Sequence, residues 1–226
     1  QLVFFQTMWA NNNRNIIERV QGEIDAYSYI RSEDGFKIED GPTEDNIKKI
    51  LELIMVIYAL EGIKFYASFL ITYLIHDRYA CIPGACRIIK LINFDEDWHT
   101  RASVLLLKNL KEDPNFNAWI DLTPGSWFDK MANRVFDKVR QDEKNFADYL
   151  ISIGGMELPV SGTGVHKFLD YYSGKRLKDI GLEGQEIEIT PLVEWFDMYK
   201  DLNKENIAMQ ESDLAVYNIG VMQDDM

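Results

Sequence analysis

The chain has 226 residues, 46% of them apolar and 12% aromatic, enough for the core of one large domain and too many for a disordered protein. Its net charge of −13 and isoelectric point near 4.7 exclude the basic footprint of a general nucleic-acid binder. Cys81 and Cys86 are the only cysteines; with no secretory pattern they read as reduced thiols of a cytoplasmic protein, too few to hold zinc.

In chain order, Asn11-Asn12-Asn13 offers caps for a helix to about Arg31, striped by Ile16, Ile17, Val20, Ile24, Tyr27 and Ile30. Ser32–Pro42 reads as a turn region, with Phe36-Lys37-Ile38 as a short strand or nothing regular. Thr43, followed by Asn46, starts one long core helix to about Asp77. Ile82-Pro83-Gly84 breaks the chain, and the next helix runs from about Gly84 to Lys111, ending at Asp113-Pro114. Thr123-Pro124-Gly125-Ser126 caps a helix to about Ile153, stopped by Gly154-Gly155. Thr163–Leu182 is helical, 184–191 extended or loop, and Val193–Met198 a short helix. The polar residues from Asn203 onward read as a mobile acidic tail. The class is all-α, with a domain at residues 1–202 and a tail at 203–226.

The run Ile50–Ile75 is long enough to span a bilayer, which takes roughly 20 apolar residues. Glu52, Glu61 and Lys64 interrupt it, and a central charge costs about 2.5–3.5 kcal/mol on insertion. The core helix of a bundle is the better reading, with no membrane partner. The sequence opens at Gln1 on an apolar, aromatic stretch with no helix-start signal, so an upstream segment is expected to be encoded elsewhere or removed.

Two signatures carry chemistry. Glu96 and His99 lie three apart and share one face of a helix, where a carboxylate and an imidazole can bind one metal; that donor pair suits iron or manganese. Glu61 sits in an apolar helix, and a buried carboxylate needs compensation. Lys64 on the next turn is one candidate and a metal another. A Glu on one helix facing a Glu-x-x-His on another is half of a carboxylate-bridged two-metal site. Taken alone, a Glu-x-x-His is also a common solvated face. His166 reads as a helix-start residue and Tyr171-Tyr172 as core packing, and Gly162-Thr163-Gly164 lacks the Lys-Ser/Thr of a phosphate loop.

The segment Ala59-Leu60-Glu61-Gly62-Ile63-Lys64-Phe65-Tyr66-Ala67-Ser68-Phe69 resembles a metal-ligand helix of the small (beta) subunit of class I ribonucleotide reductase. Ile88-Ile89-Lys90-Leu91-Ile92 with Asp95-Glu96-x-x-His99 resembles that family's next ligand helix. The likeness continues through Asp142-Glu143-Lys144-x-x-Ala147-Asp148-Tyr149-Leu150 and Lys175-Arg176-Leu177-x-x-Ile180-Gly181-Leu182 to Glu211 and Tyr217, covering about residues 14–226. It implies a ferritin-like bundle, usually homodimeric, with two iron ions (manganese is the alternative) and a tyrosyl radical passed to the large (alpha) subunit to make deoxyribonucleotides. By motif, Glu61, Glu96 and His99 would be metal ligands. Asp95 would orient a ligand histidine on the radical route, and Phe65, Phe69 and Ile92 would wall the radical pocket. Tyr217 would relay the radical between subunits with Glu211 as proton partner, and the last residues would dock on the large subunit.

The family also has an upstream helix pair with an Asp, a second Glu-x-x-His and the radical tyrosine. No such set precedes Glu61: the histidines are His76, His99 and His166. Glu18, Glu23, Asp25, Tyr27 and Tyr29 lie in a context like the family's linker helix. The expectation is therefore the C-terminal portion of a small subunit, inactive by itself, with the N-terminal half on a partner polypeptide. The rivals are a fragment that only binds the large subunit, and another carboxylate-bridged oxidase.

Overall fold

The computed structural model describes residues 43–153, 158–183 and 188–201, together with Ile17 and Ile24, both helical and exposed. The expected helix to Arg31, the 36–38 segment, the Gly154-Gly155 stop and the tail with Glu211 and Tyr217 lie outside the described residues. Those described are all-α, with no strand among them: α1 (Glu44–Ala59), a π-helical turn (Leu60–Lys64), α2 (Tyr66–Tyr79), α3 (Pro83–Glu112), α4 (Trp127–Ile153), α5 (Gly162–Asp179) and α6 (Pro191–Tyr199).

Helix starts follow local chemistry. Thr43 Oγ1 accepts from the Asn46 amide at 3.2 Å, Ser161 Oγ from Gly164 at 3.1 Å and Thr190 Oγ1 from Val193 at 3.4 Å, each satisfying one orphan donor of a first turn. The α2–α3 connection is tighter. Ala80 and Ile82 both have left-handed backbones, with φ of 48° and 53°, and Pro83 opens α3. Proline disfavours the right-handed helical region for the residue before it, so α2 cannot simply continue into α3. The His76 ring Nδ1 lies 2.7 Å from the Cys81 carbonyl and pins the turn.

The core is built on α1 and α2. Leu51, Met55, Tyr58 and Ala59 bury one face of α1, while Tyr66, Ala67, Phe69, Leu70, Tyr73 and Leu74 bury α2 nearly all round. The Glu44–Tyr79 stretch is long and apolar enough to cross a membrane, yet 61% of its most apolar window is buried in the bundle, as a core helix requires. Helix α4 covers it through Phe128, Met131, Val135, Phe136 and Val139, and α5 through Val165, Phe168, Leu169 and Tyr172. Phe196 of α6 closes an aromatic cluster, with ring centroids 4.9 Å from Phe168, 5.6 Å from Tyr66 and 5.7 Å from Tyr172.

Two features depart from expectation. The long helix is not continuous, because the wide turn Leu60–Lys64 interrupts it at Glu61. One extra residue in a turn rotates everything beyond it by about 100° relative to an unbroken helix. Helix α3, in turn, is only partly covered. Cys86, Lys90, Asn93, Thr100 and Leu107 are buried, while Ile88, Leu91, Phe94, Trp98, Leu105 and Leu106 stand exposed.

Candidate metal centre

Three side chains converge where the π-helical turn faces α3. The turn presents Glu61, and the i, i+3 spacing puts Glu96 and His99 on one face of α3. His99 Nδ1 lies 2.9 Å from Glu96 Oε2 and 3.3 Å from Glu61 Oε2. One ligand atom from each lies within 4.8 Å of the others, the one cluster of three such side chains found among the described residues. Both carboxylates are mostly covered, with side-chain exposures of 12% for Glu96 and 21% for Glu61, while the imidazole is 59% exposed.

The electrostatics follow from that crowding. Burial, and then the neighbouring Glu61 carboxylate, push the Glu96 carboxyl up to about 7, against the pull of His99. The hydrogen bonds to Glu96 and Glu61 raise His99 in return. Two carboxylates thus meet at one imidazole. A divalent cation would neutralise both, and two carboxylates with an imidazole are a donor set suited to iron or manganese. Of the three apolar residues expected around a radical, Phe69 is buried, with Phe65 packed on it at 6.1 Å between centroids, whereas Ile92 is 38% exposed. Lys64, the other candidate partner for Glu61, is buried.

A second polar cluster lies one residue along α3. Asp95 is exposed; the carboxylate held in a network is that of Asp97. The Tyr66 hydroxyl donates to Asp97 Oδ1 at 3.3 Å and accepts from Arg176 Nη2 at 2.8 Å. Arg176 also reaches Asp97 at 3.3 Å, and Lys200 Nζ donates to Asp97 Oδ2 at 3.0 Å. Burial alone would raise the Asp97 carboxyl, but Lys200 and Arg176 outweigh it and hold the group below the usual carboxylate range. Burial raises the Tyr66 phenol, so it stays protonated as a donor.

Sequence reasoning missed this network. The signal was present in α5: Val165, Phe168, Leu169, Tyr172 and Arg176 follow one helical stripe, so Arg176 is in register with the core and must meet buried partners there. His166 and Tyr172 have structural settings: His166 Nε2, near the start of α5, lies 2.9 Å from Asp148 of α4, and the buried Tyr172 donates to Asp197 at 2.6 Å.

A family model described as ribonucleotide reductase, small chain, matches residues 6–185. The chain is 27% identical over 194 residues to the ribonucleoside-diphosphate reductase subunit beta of Enterobacteria phage T4, covering 84% of this chain and 48% of that protein. It is 26% identical over 176 residues to ribonucleoside-diphosphate reductase 1 subunit beta of Escherichia coli O157:H7, covering 76% and 45%. The ribonucleotide reductase R2 subunit from Clostridium botulinum superposes with a TM-score of 0.65 at 22% identity, over 86% of this chain and 55% of that one, which shows the shared ferritin-like helical fold. The chain spans about half the length of the curated relatives it matches. With a family model covering most of its length, the chain belongs to the ribonucleotide reductase small chain family.

Proposed function

We propose that this chain is the C-terminal portion of the radical-generating small subunit of a ribonucleoside-diphosphate reductase and supplies one side of its two-metal site. The observation that carries this reading is the convergence of Glu61, Glu96 and His99 from two different elements within 4.8 Å. The metal, iron with manganese as the alternative, supplies one-electron chemistry when bound. The residues of this chain hold it and exclude water: Glu61 and Glu96 provide anionic oxygens, His99 a neutral nitrogen, and Phe65 and Phe69 an apolar wall.

The remaining ligands and the radical tyrosine come from an N-terminal half, in this reading a separate polypeptide. The uncovered apolar residues of α3 flank His99, as expected of a helix that a partner covers. The full assembly works in the cytoplasm as a homodimer of small subunits with the large subunit. Asp95 orients a ligand histidine of the other half. Tyr217 and Glu211 form the relay of a tail at residues 203–226 that docks on the large subunit.

The test combines this chain with the polypeptide that supplies the other half and with the large subunit, and measures bound metal and deoxyribonucleotide formation. About two metals per assembled pair are expected, with turnover that the chain alone does not show. Glu61→Ala should abolish loading and turnover together, while Tyr217→Phe should keep the metal and lose turnover. Undiminished metal content in Glu61→Ala would refute the ligand assignment.

A further inference from the structure

Helix α3 and the C-terminal half of α5 leave a groove whose lining does not include Glu61, Glu96 or His99. Its first part is a cleft of about 520 Å³ whose charged walls are Arg101, Lys175, Arg176 and Lys200, with Asp97 and Asp179. Its second part, about 250 Å³, shares Val104 and Asp179 with the first and is apolar, with Leu107, Ile120, Leu122 and Phe128 as its floor and Lys108 and Lys111 among its lining. Six cations against two carboxylates make a basic strip on a chain of net charge −13. Both carboxylates are already engaged by Arg176, Asp97 at 3.3 Å and Asp179 at 3.5 Å. Among the described residues no carboxylate lies within ion-pair distance of Arg101 or Lys175; the Arg101 guanidinium rests 5.3 Å over the Trp98 ring.

What enters the groove is indicated by where α6 ends. Its last residue is Tyr199, and Lys200, which follows, is itself a wall of the cleft. The chain therefore leaves α6 at the mouth of the groove. The segment beyond, outside the described residues, places Glu205, Glu211 and Asp213 among Ile207, Met209, Leu214 and Val216, with Lys204 as its only cation up to residue 217. From Asp97 to Lys111 the groove runs 14 residues of helix, or about 21 Å. Seven extended residues cover that distance at about 3.3 Å each, so reach is not limiting.

We propose that the acidic, apolar segment 203–217 of this chain docks in this groove in cis, its carboxylates on Arg101, Lys108, Lys111 and Lys175 and its apolar side chains on the Leu107–Phe128 floor. Tethering at Lys200 makes the encounter intramolecular, at an effective concentration on the order of millimolar, so weak contacts suffice. Opposite charge sets the register and makes the docking salt-sensitive. The docking does not depend on the metal centre. Where the tail also binds a large subunit, groove and partner compete for the same residues.

The test is hydrogen exchange on the full chain, with a synthetic peptide of residues 203–226 as the free reference. Amides of 203–217 are expected to exchange at least about tenfold more slowly in the chain than in the peptide at low salt. Arg101→Glu/Lys175→Glu, both on partly or fully exposed side chains, should return them to peptide rates without moving the thermal midpoint. Peptide-rate exchange in the unaltered chain, or full protection in the charge-reversed chain, overturns the proposal. Carbodiimide crosslinking of an equal mixture of ¹⁴N and ¹⁵N chains reads the unaltered protein independently of the variant. Bonds from Lys108, Lys111 or Lys175 to Glu205, Glu211 or Asp213 within one isotopic copy support docking in cis. Bonds found only between copies show a second chain as the occupant and overturn it.

Discussion

Arg176 donates from Nε to the carbonyl of Gly62 at 3.3 Å, joining the fifth helix to the wide turn that carries Glu61. A π-helical turn disturbs the regular carbonyl ladder, and here a buried guanidinium supplies a partner for one carbonyl within it. The approach is close: a Cβ at position 62 would lie 3.2 Å from Arg176 Cγ and 3.3 Å from Nε. Glycine is therefore used for space, and its backbone is not in the left-handed region.

Gly62→Ala tests that fit. Alanine gains roughly 0.4–1 kcal/mol from reduced freedom of the unfolded chain, while crowding a packed core costs about 1–3 kcal/mol. The crowding term is the larger, so a net loss of about 1 kcal/mol is expected, read as a lower urea midpoint at unchanged slope. The turn would shift with it and, on the proposed reading of Glu61 as a ligand, metal affinity should fall too. A midpoint at or above that of the parent chain would show that Arg176 yields at no cost.

Removing the guanidinium should be more severe. Arg176 has a side chain only 9% exposed and serves Tyr66, Asp97 and Gly62 at once. Arg176→Met strips Tyr66 of its donor and leaves Asp97 with Lys200 as its remaining basic partner, so a loss of about 3 kcal/mol is expected. Asp97→Asn in the same chain should recover part of it, because the uncompensated charge is gone. Denaturation of the two single variants and the double variant gives the coupling directly. Strict additivity would mean that the two groups do not interact.

Phe196 lies at the meeting point of Tyr66, Tyr73, Phe168 and Tyr172, with no exposed surface. Phe196→Ala should cost about 3–5 kcal/mol through lost burial and the cavity left behind. Helix α6 fully buries Val193 and Phe196, with Leu192, Trp195 and Tyr199 half-buried around them, so Phe196 is its largest fully buried anchor. Limited proteolysis should then cut within Pro191–Tyr199 well before the rest of the bundle. Uniform resistance of α6 would contradict that role.

Element type was legible in the sequence because periodicity and caps agree locally. Thr43 and Ser126 mark helix starts, and the break at Ile82-Pro83-Gly84 falls at a residue whose backbone really is left-handed. The pair Glu96 and His99 was legible for the same reason, since i, i+3 spacing fixes a shared face once a helix is assumed. The π-helical turn was not legible. A partner of its backbone is tertiary: Arg176, 114 positions away from Gly62 in sequence, donates to the Gly62 carbonyl. The role of Asp97 was hidden by its neighbours, because Asp95, Glu96 and Asp97 look alike in sequence and only the rotation of α3 decides which one meets Tyr66 and Lys200.

The apolar surface of α3 yields the last expectation. Ile88, Leu91, Trp98 and Leu105 are each at least half exposed, on the helix that carries Glu96 and His99. Side chains so placed add little to the stability of the isolated chain, and substitutions there should stay within about 0.5 kcal/mol. They present a contiguous apolar face of a kind that marks a contact site. Leu91→Ser/Leu105→Ser should therefore leave the thermal midpoint nearly unchanged, while sharply lowering the fluorescence of an added apolar dye and the tendency to self-associate in sedimentation. On the proposed reading that a separate polypeptide supplies the other half, the same double variant should also weaken its association with this chain. A marked fall in the thermal midpoint would instead show that these residues already pack within the chain and are no contact surface.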